Sequence, residues 1–217
     1  MFEKALENLP VNNISIVCSR NPSSICKMEL FEDILSVIPA KELEKLYDSV
    51  KPEHVAKYLF TSGSTGMPKG VINTQKMLCV NMQQNQQVKP KELGEPIIMD
   101  WLPWNHTMGG NHSFNGIFWN GGTMYIDAGK PVPALFPITA ENLKNISPTY
   151  YTSVPAGLAM LLEHLKVDLE LRKNFFRNLI YIGYGGASLP PEVWYGIRDL
   201  AKETTGKELE LVCGWGA

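Results

Sequence analysis

The stretch Thr61-Ser62-Gly63-Ser64-Thr65-Gly66-Met67-Pro68-Lys69-Gly70 lies between two apolar segments, Tyr58-Leu59-Phe60 and Val71-Ile72. Gly63, Gly66 and Gly70 permit backbone angles that other residues reach only at a cost. A loop so built can turn several backbone N–H groups toward one point and form an anion-binding nest. Thr61, Ser62, Ser64 and Thr65 add hydroxyl donors, and Lys69 adds a mobile positive charge. Pro68 stiffens the exit. Small donors with one cation suit a polyphosphate. The nucleotide loop GxxxxGK[ST] does not fit, because the glycine required five positions after Gly63 is Pro68 and the loop has no Gly-Lys pair. The plain alternative is a flexible surface loop, the usual fate of Ser/Gly-rich segments. The apolar flanks and the Pro-Lys-Gly ending weigh against it.

Working outward, strands and helices alternate. Tyr58 to Phe60 reads as a strand, Val71-Ile72 as a returning strand, and Gln75 to Gln87 as an amide-rich helix. Strands are expected at Ile97 to Leu102, Thr123 to Ile126, Thr149 to Thr152, Leu179 to Gly183 and Leu209 to Cys213. Thr139 to Ile146 reads as a helix with Thr139 as N-cap. Ser153 is a candidate cap for a helix with Pro155 in its first turn. Val154, Leu158, Leu161, Leu162 and Leu165 then recur at helical spacing. Ser188 is a candidate cap for a further helix, with Pro190 and Pro191 in its first turn and Val193, Ile197 and Leu200 inside. This alternation predicts an α/β fold, a mostly parallel sheet with helices on both faces. Upstream, Phe2, Leu6 and Leu9 have helical spacing, Ile14 to Cys18 alternates like a strand, and Phe31, Ile34 and Leu35 suggest a short helix. Residues 48–53 read as a connection.

Composition narrows the function classes. Among the 217 residues, 44% are hydrophobic and 19% charged, as in a globular protein with a real core. A formal net charge of -2 gives no pull toward nucleic acid or anionic membranes. No apolar run approaches the ~20 residues that span a bilayer, and the first ten residues lack the apolar stretch of a secretory signal. Cys18, Cys26, Cys79 and Cys213 are scattered without a CxxC pair, which predicts reduced thiols in a reducing, cytoplasmic compartment.

The ten residues from Thr61 to Gly70 resemble, without departure, the TSGSTGxPKG signature of the adenylate-forming superfamily. That group comprises acyl-CoA synthetases, adenylation domains of peptide synthetases, and luciferases. The segment Trp101-Leu102-Pro103-Trp104-Asn105-His106-Thr107-Met108-Gly109-Gly110-Asn111-His112 is similar to the family's second signature. There a Leu-Pro pair precedes an aromatic or His residue between the acyl pocket and the nucleotide. The Pro-Trp-Asn-His and Gly-Gly-Asn-His variants look most like feruloyl-CoA synthase-type members, which take aromatic acids. The plain reading of His106 is a buried histidine with a satisfied hydrogen bond. Tyr184-Gly185-Gly186-Ala187 resembles the Gly-Gly-Ala element that lets adenine approach the backbone, and an ordinary strand-to-helix turn is compatible with it. Gly214-Trp215-Gly216-Ala217 resembles the start of the Tyr-Gly-x-Thr-Glu signature, with Trp215 in place of Tyr as the ring that stacks on adenine.

The resemblance implies an ATP-dependent ligase that makes an acyl-adenylate from a small carboxylic acid and passes the acyl group to coenzyme A. It implies Lys69 and His106 as catalytic residues. Thr61, Ser62, Gly63, Ser64, Thr65, Gly66, Lys69, Gly185, Gly186, Ala187, Gly214, Trp215 and Gly216 would bind ATP. Trp104, His106 and Asn111 would border the acid. The Thr and Glu that meet the α-phosphate and Mg²⁺ would follow Ala217, so no residue here is assigned to metal. It further implies a fragment: residues 1–50 as the end of an upstream region, residues 51–217 as the AMP-binding core, and a C-terminal domain outside the sequence. A non-catalytic ATP- or AMP-binding module, and transfer to a carrier protein, stand as alternatives.

Overall fold

The computed structural model describes residues 15–24, 27–37, 41–61, 66–88 and 95–214. The sequence calls at Phe2, Leu6, Leu9, Cys26, Ser62 to Thr65 and Trp215 to Ala217 lie outside them. The chain divides into two units, 1–50 and 51–217. In the first, β1 (Val17–Cys18) pairs in parallel with β2 (Glu29–Leu30), followed by short helices α1 (Phe31–Leu35) and α2 (Leu43–Asp48). Neither helix has a buried residue.

The second unit opens with an antiparallel hairpin, β3 (Val55–Phe60) and β4 (Gly70–Thr74), in which Phe60 opposes Gly70. Helix α3 (Gln75–Val88) follows directly. Strands β5 (Ile97–Asp100) and β6 (Thr123–Ile126) pair in parallel, separated in sequence by a π-helix (Met108–Phe114) and α4 (Asn115–Trp119). Next come α5 (Phe136–Asn145), β7 (Tyr150–Ser153), α6 (Pro155–Val167), α7 (Leu169–Arg177), β8 (Tyr181–Gly185), α8 (Pro191–Thr205) and β9 (Glu210–Gly214). Strands β7, β8 and β9 form a parallel sheet in that order. The N–H of Thr149 donates to the carbonyl of Ile97 at 2.8 Å, which joins β5 to the start of β7.

Alternation along β7 and β8 decides where the core sits, because successive side chains leave opposite faces. Tyr151 and Ile182 point to one face, where Leu143 of α5, Leu158, Leu161 and Leu165 of α6, Leu171 and Phe175 of α7, and Ile197 of α8 close over them. Each fully buried leucine contributes about 1.5–3 kcal/mol. Tyr150 and Tyr181 point to the other face, with Ile98 and Ile117. Helices therefore cover both faces, as the alternation predicts.

Three caps fall elsewhere than expected. Thr139 is buried inside α5, because the helix begins at Phe136-Pro137, and its hydroxyl donates to Asp127 at 2.5 Å. Val154 rather than Ser153 precedes α6, and Pro190 rather than Ser188 precedes α8. Proline in the first turn fixes each start without a side-chain cap, since its missing N–H has no helical partner to lose. Helix α8 ends at Gly206, whose φ of 72° is the left-handed cap geometry. Among the described residues no helix is long and apolar enough to cross a membrane.

Candidate functional site

The hairpin presents the Gly/Ser/Thr loop. Its base is closed by the N–H of Thr61 donating to the carbonyl of Lys69 at 3.0 Å. Gly66, Met67, Pro68 and Lys69 are exposed, and a side chain at Gly66 would meet nothing within 4 Å. The described half of the loop therefore stands open to solvent.

Beyond β5 the chain turns through Trp101 to His106. Asp100 Oδ1 accepts the N–H of Leu102 at 2.8 Å, which fixes the first bend. The N–H of His106 donates to Pro103 O at 3.0 Å. His106 Nδ1 accepts the N–H of Met108 at 3.2 Å. With Nδ1 accepting, the neutral ring carries its proton on Nε2. His106 is exposed, so the plain reading of a buried, satisfied histidine does not hold. Trp104 is 48% exposed, and its ring meets that of Phe114 at a tilt, 4.8 Å between centres. Burial pushes the Asp100 carboxyl above its usual range and Asp127 adds to this, while the Leu102 and Trp101 amides and the Ser113 hydroxyl oppose it.

The π-helix is packed against this turn with no room for side chains at two points. A Cβ at Gly109 would lie 2.5 Å from Pro103 O, and one at Gly110 would overlap Trp104 O. The same helix meets the hairpin. Lys57 Nζ on β3 donates to Gly110 O at 3.2 Å, and Asn111 Nδ2 donates to Asn73 Oδ1 on β4 at 2.9 Å.

The strand ends complete the arrangement. Gly185 pairs with Gly214, so β8 and β9 finish level. A Cβ on Gly185 would lie 2.7 Å from Gly214 O and 3.7 Å from Met108 Cε. Met108, two residues past His106, therefore sits beside Gly185. Gly186 has a φ of 85°, which favours glycine, and Ala187 is exposed. This is the carboxyl-terminal edge of a parallel sheet, the usual ligand position in such folds.

Two cavities flank the π-helix and α4. The first, of about 40 Å³, is lined by Met82, Ile98, His112, Ile117, Tyr150 and Tyr181 among others. Tyr150 and Tyr181 rings lie 4.8 Å apart. Burial, reinforced by Tyr181, pushes the Tyr150 phenol up to about 12. The second cavity, of about 220 Å³, is lined by Asn73, Asn81, Met82, Thr107, Asn111 and Asn115 with Met77 and Leu78. Of the residues expected to border an acid, Asn111 lines the second cavity, while Trp104 and His106 line neither. Sequence reading missed Tyr150, Tyr181, Met82 and His112 as cavity residues. The consecutive tyrosines at 150 and 151 were the available signal, since in a strand one of the two must leave the main core.

The sequence profile of the AMP-binding enzyme family matches residues 5–217. The chain belongs to the AMP-binding enzyme family. Long-chain-fatty-acid–CoA ligase ACSBG1 of Homo sapiens is 22% identical over 187 residues, which cover 84% of this chain and 25% of that protein. The chain thus spans about a quarter of the length of that relative. The fold is that of solved members. The anthranilate CoA ligase AuaEII in complex with anthranoyl-AMP superposes with a TM-score of 0.68 at 20% identity, covering 98% of this chain and 38% of that one. The luciferase-like enzyme of the mealworm Zophobas morio gives 0.71 at 15% identity, covering 99% and 45%.

Proposed function

We propose that this AMP-binding family chain serves ATP-dependent activation of a carboxylic acid to an acyl-adenylate, followed by transfer of the acyl group to coenzyme A. The whole protein's activity is part of the proposal, because the chain spans about a quarter of the ligase it resembles. The observation that carries the reading is the hairpin loop closed at Thr61 and Lys69, joined through Lys57 and Asn73 to the helix that follows His106.

In this reading the acid's carboxylate attacks the α-phosphorus of ATP, and the bond to the β-phosphate oxygen breaks. The leaving pyrophosphate takes the developing charge. Such chemistry rests on positioning and charge neutralisation. Lys69, the loop hydroxyls of Thr61, Ser62, Ser64 and Thr65, and the amides at Gly63 and Gly66 supply donors to the β- and γ-phosphates. In the same reading adenine lies against the backbone at Gly185, Gly186, Ala187 and Gly214, with Trp215 and Gly216 next in the chain. The His106 Nε2–H offers a donor to an oxygen at the reacting carboxylate. The coenzyme A thiol then attacks the acyl carbon and AMP departs. Mg²⁺ accompanies ATP as its counter-ion. The loop holds hydroxyls and an amine but no carboxylate, so its own residues suit phosphate oxygens rather than the metal.

An aromatic acid is the finer part of the proposal. The Tyr150 and Tyr181 rings, tilted at 4.8 Å between centres, offer ring contacts that suit an aromatic acid. Residues 51–217 are the AMP-binding core in this reading, and a cytoplasmic setting accords with free Cys18, Cys79 and Cys213. Acid-dependent exchange of labelled pyrophosphate into ATP tests the proposal. Aromatic acids should support exchange, and Lys69→Ala should reduce it at least tenfold. Exchange at the parental rate in that variant would remove Lys69 from the mechanism, and no exchange with any acid would end the ligase reading.

A further inference from the structure

Asn73 lies on β4, three residues past Gly70 at the exit of the Gly/Ser/Thr loop, and is 9% exposed. Its amide is held in one orientation. Nδ2 donates to the carbonyl of Val71 at 3.0 Å, and Oδ1 accepts Asn111 Nδ2 at 2.9 Å. Reversing the amide would set its oxygen against Val71 O and its nitrogen against Asn111 Nδ2. Asn111 Nδ2 also donates to Thr107 Oγ1 at 3.2 Å, which uses both of its hydrogens. Three side chains thus form a relay from the strand that leaves the loop to the residue that follows His106.

Thr107 precedes the π-helix, a place where a threonine hydroxyl ordinarily accepts an N–H of the first turn. Here it makes no such cap and accepts Asn111 instead. On the far side of Thr107, the Met108 N–H donates to His106 Nδ1. Fixing Thr107 therefore fixes the backbone between the imidazole and its partner. Packing does not serve in place of these bonds. Asn73, Thr107 and Asn111 border the cavity of about 220 Å³, and side chains beside unfilled space lack neighbours on that side. Lys57 joins the other strand of the hairpin to the backbone of Gly110. The Asn73 relay is made of side chains, so mutation separates the two links.

We propose that Asn73 is a positioning residue which, through Asn111 and Thr107, keeps His106 in register with the phosphate loop. The proposal rests on the ligase reading. Asn73 touches neither ATP nor acid in that reading. Its loss leaves both binding places formed and lets them drift relative to each other. The penalty falls on the reacting geometry rather than on binding, because attack on the α-phosphorus requires the two partners to be aligned.

The test is acid-dependent pyrophosphate exchange by the protein carrying this chain, with kcat and KM measured separately for Asn73→Leu, Thr107→Val and the double variant. Leucine and valine have nearly the shapes of asparagine and threonine and make no hydrogen bond. Each single variant should lower kcat about tenfold, with the KM for ATP and for acid within about threefold of the parent. The double variant should fall no more than about twofold below the lower single one, because both changes break the same relay, whereas independent effects would multiply to about a hundredfold. A parental kcat in folded Asn73→Leu, a rise in KM at constant kcat, or losses that multiply in the double variant overturns the positioning role. Should Asn73→Leu fail to fold, Thr107→Val decides alone from the far end of the relay, and a parental kcat there overturns the proposal. Absence of exchange with every acid in the parent protein instead overturns the ligase reading, and this inference with it.

Discussion

Lys57 Nζ donates to the carbonyl oxygen of Gly110 at 3.2 Å, and the N–H of Gly110 donates to the carbonyl oxygen of His106 at 2.8 Å. One peptide residue thus links the strand that enters the Gly/Ser/Thr loop to the turn that carries His106. Burial holds the Lys57 amine below its usual pKa. A hydrogen bond from a charged donor in such a place outweighs a neutral one. Lys57→Met keeps the stem and removes the donor. Pyrophosphate exchange should fall about tenfold in kcat, with the KM for ATP and acid within about threefold of the parent, because alignment rather than binding is lost. A rise in KM at constant kcat would contradict this role.

Gly109 tests whether the π-helix positions the turn. A Cβ there would sit 2.5 Å from Pro103 O and 2.9 Å from Leu102 O, both backbone atoms with little room to yield. Gly109→Ala must displace one of the two segments. Urea unfolding should show a loss of about 1–3 kcal/mol, the usual range for overpacking, accompanied by loss of exchange activity. Unchanged stability and activity would mean that the two segments are not in contact.

The Asp100 carboxyl gives a pH signature. Its folded pKa lies above the ordinary 3.8, chiefly through burial. The folded state therefore holds that proton more tightly than the unfolded one. The resulting stability is present below pH 3.8 and is lost as pH rises through the folded pKa. Asp100→Asn is neutral throughout and keeps an oxygen for the Leu102 N–H. It should be more stable than the parent at pH 7, with the difference shrinking below about pH 4. Equal midpoints at both pH values in urea titrations would contradict burial as the cause.

The main core makes a separate prediction. Phe175 on α7 is fully buried and meets Tyr151 edge-on at 5.3 Å between ring centres. Phe175→Ala should cost about 3–5 kcal/mol in denaturant unfolding. A loss below about 1 kcal/mol would place the residue outside the cooperative core.

How far the sequence reveals this molecule depends on the range of the interactions. Helix α6 is legible because Leu158, Leu161, Leu162 and Leu165 repeat at helical spacing and all four are buried. The strands are legible for the same reason of local periodicity. The cap expected at Thr139 is absent because its hydroxyl is taken by Asp127, twelve residues upstream and just past β6. The π-helix gives no periodic signal. Its glycines at 109 and 110 answer to the carbonyls of Leu102 to Trp104, a contact known only once the turn is built. Helix α7 follows α6 after Asp168 alone, which accepts the N–H of Leu171 and caps it, so periodicity does not separate the two helices. At the site, the loop is legible from composition and order alone. The cavity residues are not, since Met82, Tyr150 and Tyr181 come together only when the strands and α3 are set side by side.

The central claim is that the segment from Thr61 to Gly70 receives the phosphate tail of ATP. Backbone amide shifts of the isotopically labelled protein, followed by NMR during separate titrations with ATP and AMP, address it directly. ATP should move the amide signals of residues 61–70, Pro68 having none, together with those of Gly185 to Ala187 and Gly214. AMP, lacking the outer phosphates, should move only the second group. Loop amides that stay unmoved by saturating ATP, or that respond equally to AMP, would contradict the account.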